Sequence, residues 1–258
     1  MNPDPMNKKN IIRLLVLAAA SGVAHGATTY TNQVLVRFDG SVSGSSYTLG
    51  TGEVDATGSF KANGTPTINL GTASLDGGTS NDGFDFNPTS LGALTTQNWV
   101  AEAILSFDTF ETGQRTIIDV QGDTDIRVNN NGNGLEALYW DGSTTNPVLT
   151  ASLPSTGTFI HYALVWDAAA TSLTAYIDGV SIGTSDHGTF ATPDTSNVSF
   201  GYFGRATFDD RSIDGSLDAV AFSTFTGTFD PGSDFTIPEP SALWLAGLGL
   251  LPLLRRRR

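Results

Sequence analysis

The sequence predicts an all-β body, a sandwich or a barrel. Short apolar runs alternate with polar residues, 29 glycines punctuate them, and no amphipathic stretch of helical length occurs between the two chain ends. The stretch Phe159–Gly183 is the plainest case. Ile160, Tyr162, Leu164 and Trp166 form one row, and Phe159, His161, Ala163 and Val165 form the other, so this strand is apolar on both faces. Such a strand lies inside a sheet with material packed above and below it. Leu173, Ala175 and Ile177 then alternate with Thr174, Tyr176 and Asp178, and Asp178-Gly179 supplies a hairpin turn.

The remaining elements follow in order. Gln33–Phe38 reads as a strand ending at Asp39-Gly40, whereas Gly44–Gly64 has few bulky apolar residues and reads as loops or edge strands. Pro66–Leu70, Thr72–Leu75 and Phe84–Phe86 are short strands around the turn-rich loop Asp76–Gly83. Asn98–Phe107 is a long strand. It places Trp99, Ala101, Ala103, Leu105 and Phe107 on a core face and Val100, Glu102 and Ile104 on the other. Strands are expected at Gln114–Gln121, Thr124–Val128, Leu135–Trp140, Val148–Leu153, Asn197–Phe203 and Ile213–Phe222.

Both ends read as processing segments. Residues 1–26 carry a basic start (Lys8, Lys9, Arg13), an apolar run and a small-residue end, the pattern of a secretory signal helix removed between Gly26 and Ala27 by signal peptidase. Residues 235–258 hold Pro238-Glu239-Pro240, an apolar run over Ser241–Leu254 and the cluster Arg255, Arg256, Arg257 and Arg258. A helix of 14 residues is about 21 Å long, short against a hydrocarbon core of about 30 Å, and the arginines would hold the terminus on the cytoplasmic side. That leaves 27–234 as one large β-domain.

Seven of the 13 basic residues but only two of the 26 acidic ones lie in those ends, so the middle carries a net charge of −18. Such a body repels nucleic acid and anionic membrane surfaces and suits cations, neutral glycans or basic partners. The chain has no cysteine, which excludes thiol chemistry, disulfides and Cys-based metal sites. Its three histidines, one of them in the signal segment, leave little basis for a multi-His zinc site.

Two resemblances follow from these residues. The ordered set Leu75-Asp76-Gly77, Trp99-Val100-Ala101-Glu102-Ala103, the His161 strand, Tyr176-x-Asp178-Gly179 and Gly215-Ser216-Leu217-Asp218-Ala219-Val220 resembles the laminin-G-like, concanavalin A-like lectin/glucanase superfamily over about residues 70–223. The resemblance implies a jelly-roll sandwich of two antiparallel sheets. The tail, with Pro-Glu-Pro, an apolar helix and terminal arginines, resembles the PEP-CTERM sorting signal of Gram-negative bacteria. It implies transient membrane insertion through the C-terminal helix, a cut by an exosortase-type protease, and an extracellular or envelope destination.

Candidate chemistry is sparse. Glucanases of the superfamily carry Glu-x-Asp-x-Glu on one strand. The nearest approach here is Glu53-Val54-Asp55-Ala56-Thr57, with Thr in the third carboxylate position. Glu102 and Glu136 lie on strands, and no G-x-S-x-G nucleophile elbow occurs. His161 reads as a packed strand residue. Calcium is the one cofactor considered, with Asp76, Asp82, Asp178 and Asp218 as oxygen donors, although each Asp-Gly also reads simply as a turn. Trp140 and Tyr176 are candidate rings for stacking on a sugar. The expected function is a non-catalytic one: binding extracellular polysaccharide or a structural role in the envelope. The alternatives are a glycoside hydrolase or lyase, or a passive envelope component with no specific ligand.

Overall fold

A computed structural model describes residues 28–78, 81–120, 124–128, 132–140, 145–186, 197–203 and 211–237. The signal segment with Gly26 and Ala27, the loop holding His187, and the tail with Pro238, Glu239, Pro240 and Arg255 to Arg258 lie outside these residues. The strands are β1 (Thr29–Val36), β2 (Ser41–Ser43), β3 (Ser46–Thr48), β4 (Val54–Asp55), β5 (Lys61–Asn63), β6 (Thr67–Asn69), β7 (Thr72–Gly78), β8 (Gly83–Phe86) and β9 (Asn98–Phe107). They continue with β10 (Arg115–Val120), β11 (Thr124–Val128), β12 (Leu135–Trp140), β13 (Thr145–Ala151), β14 (Ile160–Asp167), β15 (Ser172–Ile177), β16 (Val180–Asp186), β17 (Val198–Phe200) and β18 (Ser212–Thr226). Two short 3-10 segments, Pro88–Leu91 and Leu94–Thr96, are the helical elements among the described residues.

These strands form two antiparallel sheets stacked as a sandwich. The first has the order β16-β15-β14-β9-β18-β1-β4, with β7 also on β18 and β6 on β7. The second has the order β13-β12-β11-β10-β17-β8-β5-β3-β2. β18 is the spine of the first sheet. On one side it pairs with β9 from Gly215 to Phe225. On the other its first half pairs with β7, and its second half, from Val220, pairs with β1. The change of neighbour coincides with a bulge between Leu217 and Ala219, which is the position of Asp218. Close approach explains the glycine at 215. A Cβ there would fall on the Ser106 carbonyl oxygen of β9.

The core lies between the sheets. Trp99, Ala101, Ala103, Leu105 and Phe107 of β9 all enter it, with Tyr162, Leu164 and Trp166 of β14, as the alternation predicts. From the second sheet come Phe84, Phe86, Ile118, Val120, Ile126, Val128, Leu135, Ala137, Val198 and Phe200. Trp99 stacks on Phe222 at 5.8 Å between ring centroids, and its indole N–H donates to the Leu94 carbonyl at 3.1 Å.

The outer face of the first sheet is also buried, and its cover is the chain's own C-terminal segment. Residues 227–237 cross it as a strap. Phe229 and Phe235 pack with Val100, Ala163, Val165, Tyr176 and Phe225. Ile237, 3% exposed, packs with Leu35, Ile104, Ala219 and Ala221. This accounts for the apolar second row of β14. The described fold runs to Ile237.

Candidate functional site

The outer face of the second sheet is also largely buried, but its lining is polar rather than apolar. Its core-facing residues alternate with polar ones, and register aligns the polar positions across strands. Lys61 of β5 lies opposite Asp85 of β8, Asp85 opposite Ser199 of β17, Ser199 opposite Asp119 of β10, and Asp119 opposite Asp125 of β11. A parallel row brings Thr116, Arg127 and Glu136 together. Asp85, Ser199, Asp119, Asp125 and Thr116 are each no more than 2% exposed.

This strip is a network of charge in low dielectric. Asp85 takes the Tyr202 hydroxyl on Oδ2, the Asn197 amide on Oδ1 at 3.1 Å, and the Lys61 ammonium at 3.5 Å. Gly83 makes the Tyr202 contact possible, because a Cβ there would lie 2.5 Å from the Tyr202 ring. Arg127 bridges two carboxylates, donating from Nε to Glu136 at 2.9 Å and from Nη1 to Asp125 Oδ2 at 3.4 Å. Burial raises the Asp125 carboxyl to about 6, against the pull of Arg127 and Arg211 and with a further push from Glu136. Burial also raises Asp85, opposed by Tyr202 and Lys61, and raises the Tyr202 phenol beside Asp85. Arg211 lies 4.8 Å over the Phe203 ring at the same end of the sandwich. Thr116 Oγ1 and Asp125 Oδ1 are buried with no hydrogen-bond partner among the described residues. Buried polar atoms are ordinarily satisfied, so such groups mark a place where a further ligand or water is accommodated.

The residues singled out from sequence lie elsewhere. Asp76 and Asp82 are brought together, since Asp82 accepts the Asp76 N–H on Oδ2 at 3.3 Å and the Thr65 N–H on Oδ1 at 2.6 Å. Asp178 stands apart on its turn at φ 48° and accepts the His161 N–H at 3.0 Å. Asp218 sits at the β18 bulge, its carboxyl raised by burial and by Asp39. Among the described residues no three carboxylate or imidazole side chains converge as a metal site. Tyr176 is 9% exposed, with its ring against Phe229 and Phe235 of the strap. Trp140 ends β12, and its side chain lies outside the described residues.

The carboxylates weighed as catalysts have structural duties. Glu53 accepts the backbone N–H groups of Arg37, Asp39 and Gly50 and the Tyr47 hydroxyl. Asp55 accepts Thr57, Gly58 and Phe60 N–H groups. Glu102 faces His161, 3.1 Å from its Nε2, and receives the Thr236 and Ile237 N–H groups. The strip around Asp125 did leave a trace in sequence. Aspartate, depleted in strands, stands mid-run in Phe84-Asp85-Phe86, Ile118-Asp119-Val120 and Thr124-Asp125-Ile126.

A family model described as the concanavalin A-like lectin/glucanases superfamily matches residues 76–226. The chain belongs to the concanavalin A-like lectin/glucanase superfamily. A second model, the PEP-CTERM protein-sorting motif, matches residues 236–258. The motif marks an exported protein, destined for the cell envelope or extracellular space of a Gram-negative bacterium and processed by an exosortase. A search of curated proteins gives no match. Among solved structures, domain 4 of an extracellular arabinanase from Geobacillus stearothermophilus, in complex with arabinotriose, matches with TM-score 0.55 and 16% identity over 79% of this chain and 96% of that one. Trypanosoma rangeli sialidase matches with TM-score 0.53 and 14% identity over 73% of this chain, which spans 30% of the sialidase. At these identities the likeness concerns the fold of this superfamily member. Among the described residues no helix is long and apolar enough to cross a membrane, and the apolar run 241–254 lies outside them.

Proposed function

We propose that this exported protein binds a neutral extracellular polysaccharide, without catalysis, on the outer face of its second sheet. One observation carries the reading. The outer face not taken by the strap is a strip of carboxylates, guanidinium and hydroxyls in which the buried oxygens Thr116 Oγ1, Asp125 Oδ1 and Ser199 Oγ lack hydrogen-bond partners among the described residues. Each sugar hydroxyl both donates and accepts, so it is served by donors and acceptors side by side. Lys61, half exposed, and Glu136, partly exposed, offer a donor and an acceptor at the accessible margin, and the buried Arg127 holds Glu136 in place. The net charge of −18 in the middle of the chain disfavours an anionic glycan. A solved domain with the same fold, complexed with arabinotriose, supports the ligand class.

Absence of catalysis is supported by the structural bonds that occupy Glu53, Asp55 and Glu102. A second reading, glycoside hydrolysis, is favoured by one feature: Asp125, raised to about 6, lies opposite Asp119. Facing cross-strand positions lie about 5 Å apart, near the separation a retaining pair needs. Incubation of the exported protein with neutral polysaccharides, with and without EDTA, tests both readings. Retention without sugar release is the expected result, and loss of retention in EDTA would add a calcium requirement. Sugar release that vanishes in Asp125→Asn would replace the binding reading with the hydrolase. Neither retention nor sugar release with any glycan would reject both.

A further inference from the structure

The stretch between the family domain, which ends at Thr226, and the sorting motif, which begins at Thr236, is held to the body by a dedicated set of contacts. Phe235 stands edge-on to the His161 ring at 4.7 Å and packs on Tyr176 at 5.5 Å and Phe229 at 5.1 Å. Asp230 and Asp234 close a turn between the two phenylalanines, with the Asp230 N–H on Asp234 Oδ2 at 2.7 Å. The Thr236 hydroxyl reaches Ser223 at 3.2 Å. At the end of the strap, the Thr236 and Ile237 N–H groups donate to the two oxygens of Glu102 at 3.0 and 3.1 Å. Glu102 is fully buried mid-way along β9 and meets the buried His161 on the same face. A carboxylate in that setting requires donors on both oxygens, and two of those donors are the last two described residues before Pro238.

We propose that Glu102 is a positioning residue for C-terminal processing. It latches Thr236 and Ile237 to the outer face of the first sheet, and so presents the sorting motif at a set, short distance from a completed fold. Only three residues, Pro238-Glu239-Pro240, separate the latched Ile237 from the apolar run that begins at Ser241. They reach about 10 Å when extended, whereas an undocked strap of 11 residues would add about 37 Å more. The latch therefore confines the cut to the motif and shields 227–237 from other proteases. It also forms only once β9, β14 and β18 have assembled, which ties correct presentation to folding. The strap remains part of the body after the tail is removed.

The test combines amide hydrogen exchange on the exported full chain with mass spectrometry of its C-terminus in cells that carry the processing enzyme. Wild type should show slow exchange at Thr236 and Ile237 and a single mature C-terminus beyond Ile237. Glu102→Ala should speed those two amides about a hundredfold, the effect of losing two hydrogen bonds to a charged acceptor, and yield several C-termini, some within 227–237. Glu102→Gln, which keeps an acceptor, should restore part of both. Phe235→Ala removes a strap contact while leaving every strand residue unchanged, and should reproduce the Glu102→Ala pattern while β9 and β14 amides stay protected. Fast exchange at Thr236 and Ile237 in wild type would overturn the latch. A single unchanged C-terminus in Phe235→Ala, despite fast exchange of the strap, would overturn its role in processing.

Discussion

Replacing Asp125 by Asn should change how stability depends on pH, in a direction that follows from burial. In the folded protein the Asp125 carboxyl is raised to about 6 by desolvation, against about 3.9 in an unfolded chain. The folded state thus binds the proton more tightly than the unfolded state. The group's contribution to stability is complete below about pH 4 and is lost as pH rises through 6. A displacement of about two pH units at 1.36 kcal/mol each gives about 3 kcal/mol. Asp125 is fully desolvated, so solvent screening does not reduce that figure appreciably. Urea unfolding of wild type and Asp125→Asn from pH 4 to pH 8 isolates the effect. Relative to the variant, wild type should lose about 2.4 kcal/mol across that range, most of it between pH 4 and 6.5. A difference that stays flat, or that favours wild type increasingly as pH rises, would show that burial does not disfavour the Asp125 carboxylate beside Arg127.

Three further substitutions probe separate parts of the molecule. Gly215→Ala places a Cβ on the Ser106 carbonyl in the β18–β9 pair and should cost about 3 kcal/mol in urea unfolding; a neutral result would contradict the register. Leu70→Asn should raise the melting temperature, by about 1 kcal/mol of relieved strain, because Leu70 is 97% exposed at φ 50° in the β6–β7 turn; a lowered melting temperature would reveal an unrecognised contact. Glu53→Gln sets an amide N–H₂ against donors that now reach a carboxylate, so thermal unfolding should register a loss of about 2 kcal/mol; loss of a sugar-releasing activity instead would reverse the structural role given to Glu53.

Much of the fold was legible because strand alternation is local. Trp99 to Phe107 declared its core face, Ile160 to Trp166 declared two buried faces, and Asp178-Gly179 declared its hairpin. What covered the second face of β14 was not legible. Gly227 to Ile237 reads as turn formers with scattered apolar residues, and nothing nearby shows that Phe229, Phe235 and Ile237 dock on β9, β14 and β18. β18 likewise runs on to Thr226, past the expected end at Phe222, because Ser223 to Phe225 pair with β9 and β1 rather than follow a strong local pattern. The candidate strip was missed for a related reason. Asp85, Asp119 and Asp125 are far apart in sequence and become neighbours only through the order β11-β10-β17-β8. The Asp-Gly turns and the glutamates at 53 and 102 stand out locally in sequence, but Asp178, Glu53 and Glu102 are engaged chiefly by backbone N–H groups.

The proposed polysaccharide site on the outer face of the second sheet is open to a direct binding measurement. Affinity electrophoresis of the exported protein through gels containing soluble neutral polysaccharides, arabinan among them, provides it. The comparison is wild type against Lys61→Ala and Glu136→Gln, at the accessible margin of the strip. Wild type should be retarded by at least one polysaccharide, and both variants should run markedly faster in that gel while matching wild type in its absence. Unretarded migration of wild type in every gel, or equal retardation of the two variants, would contradict the proposed site.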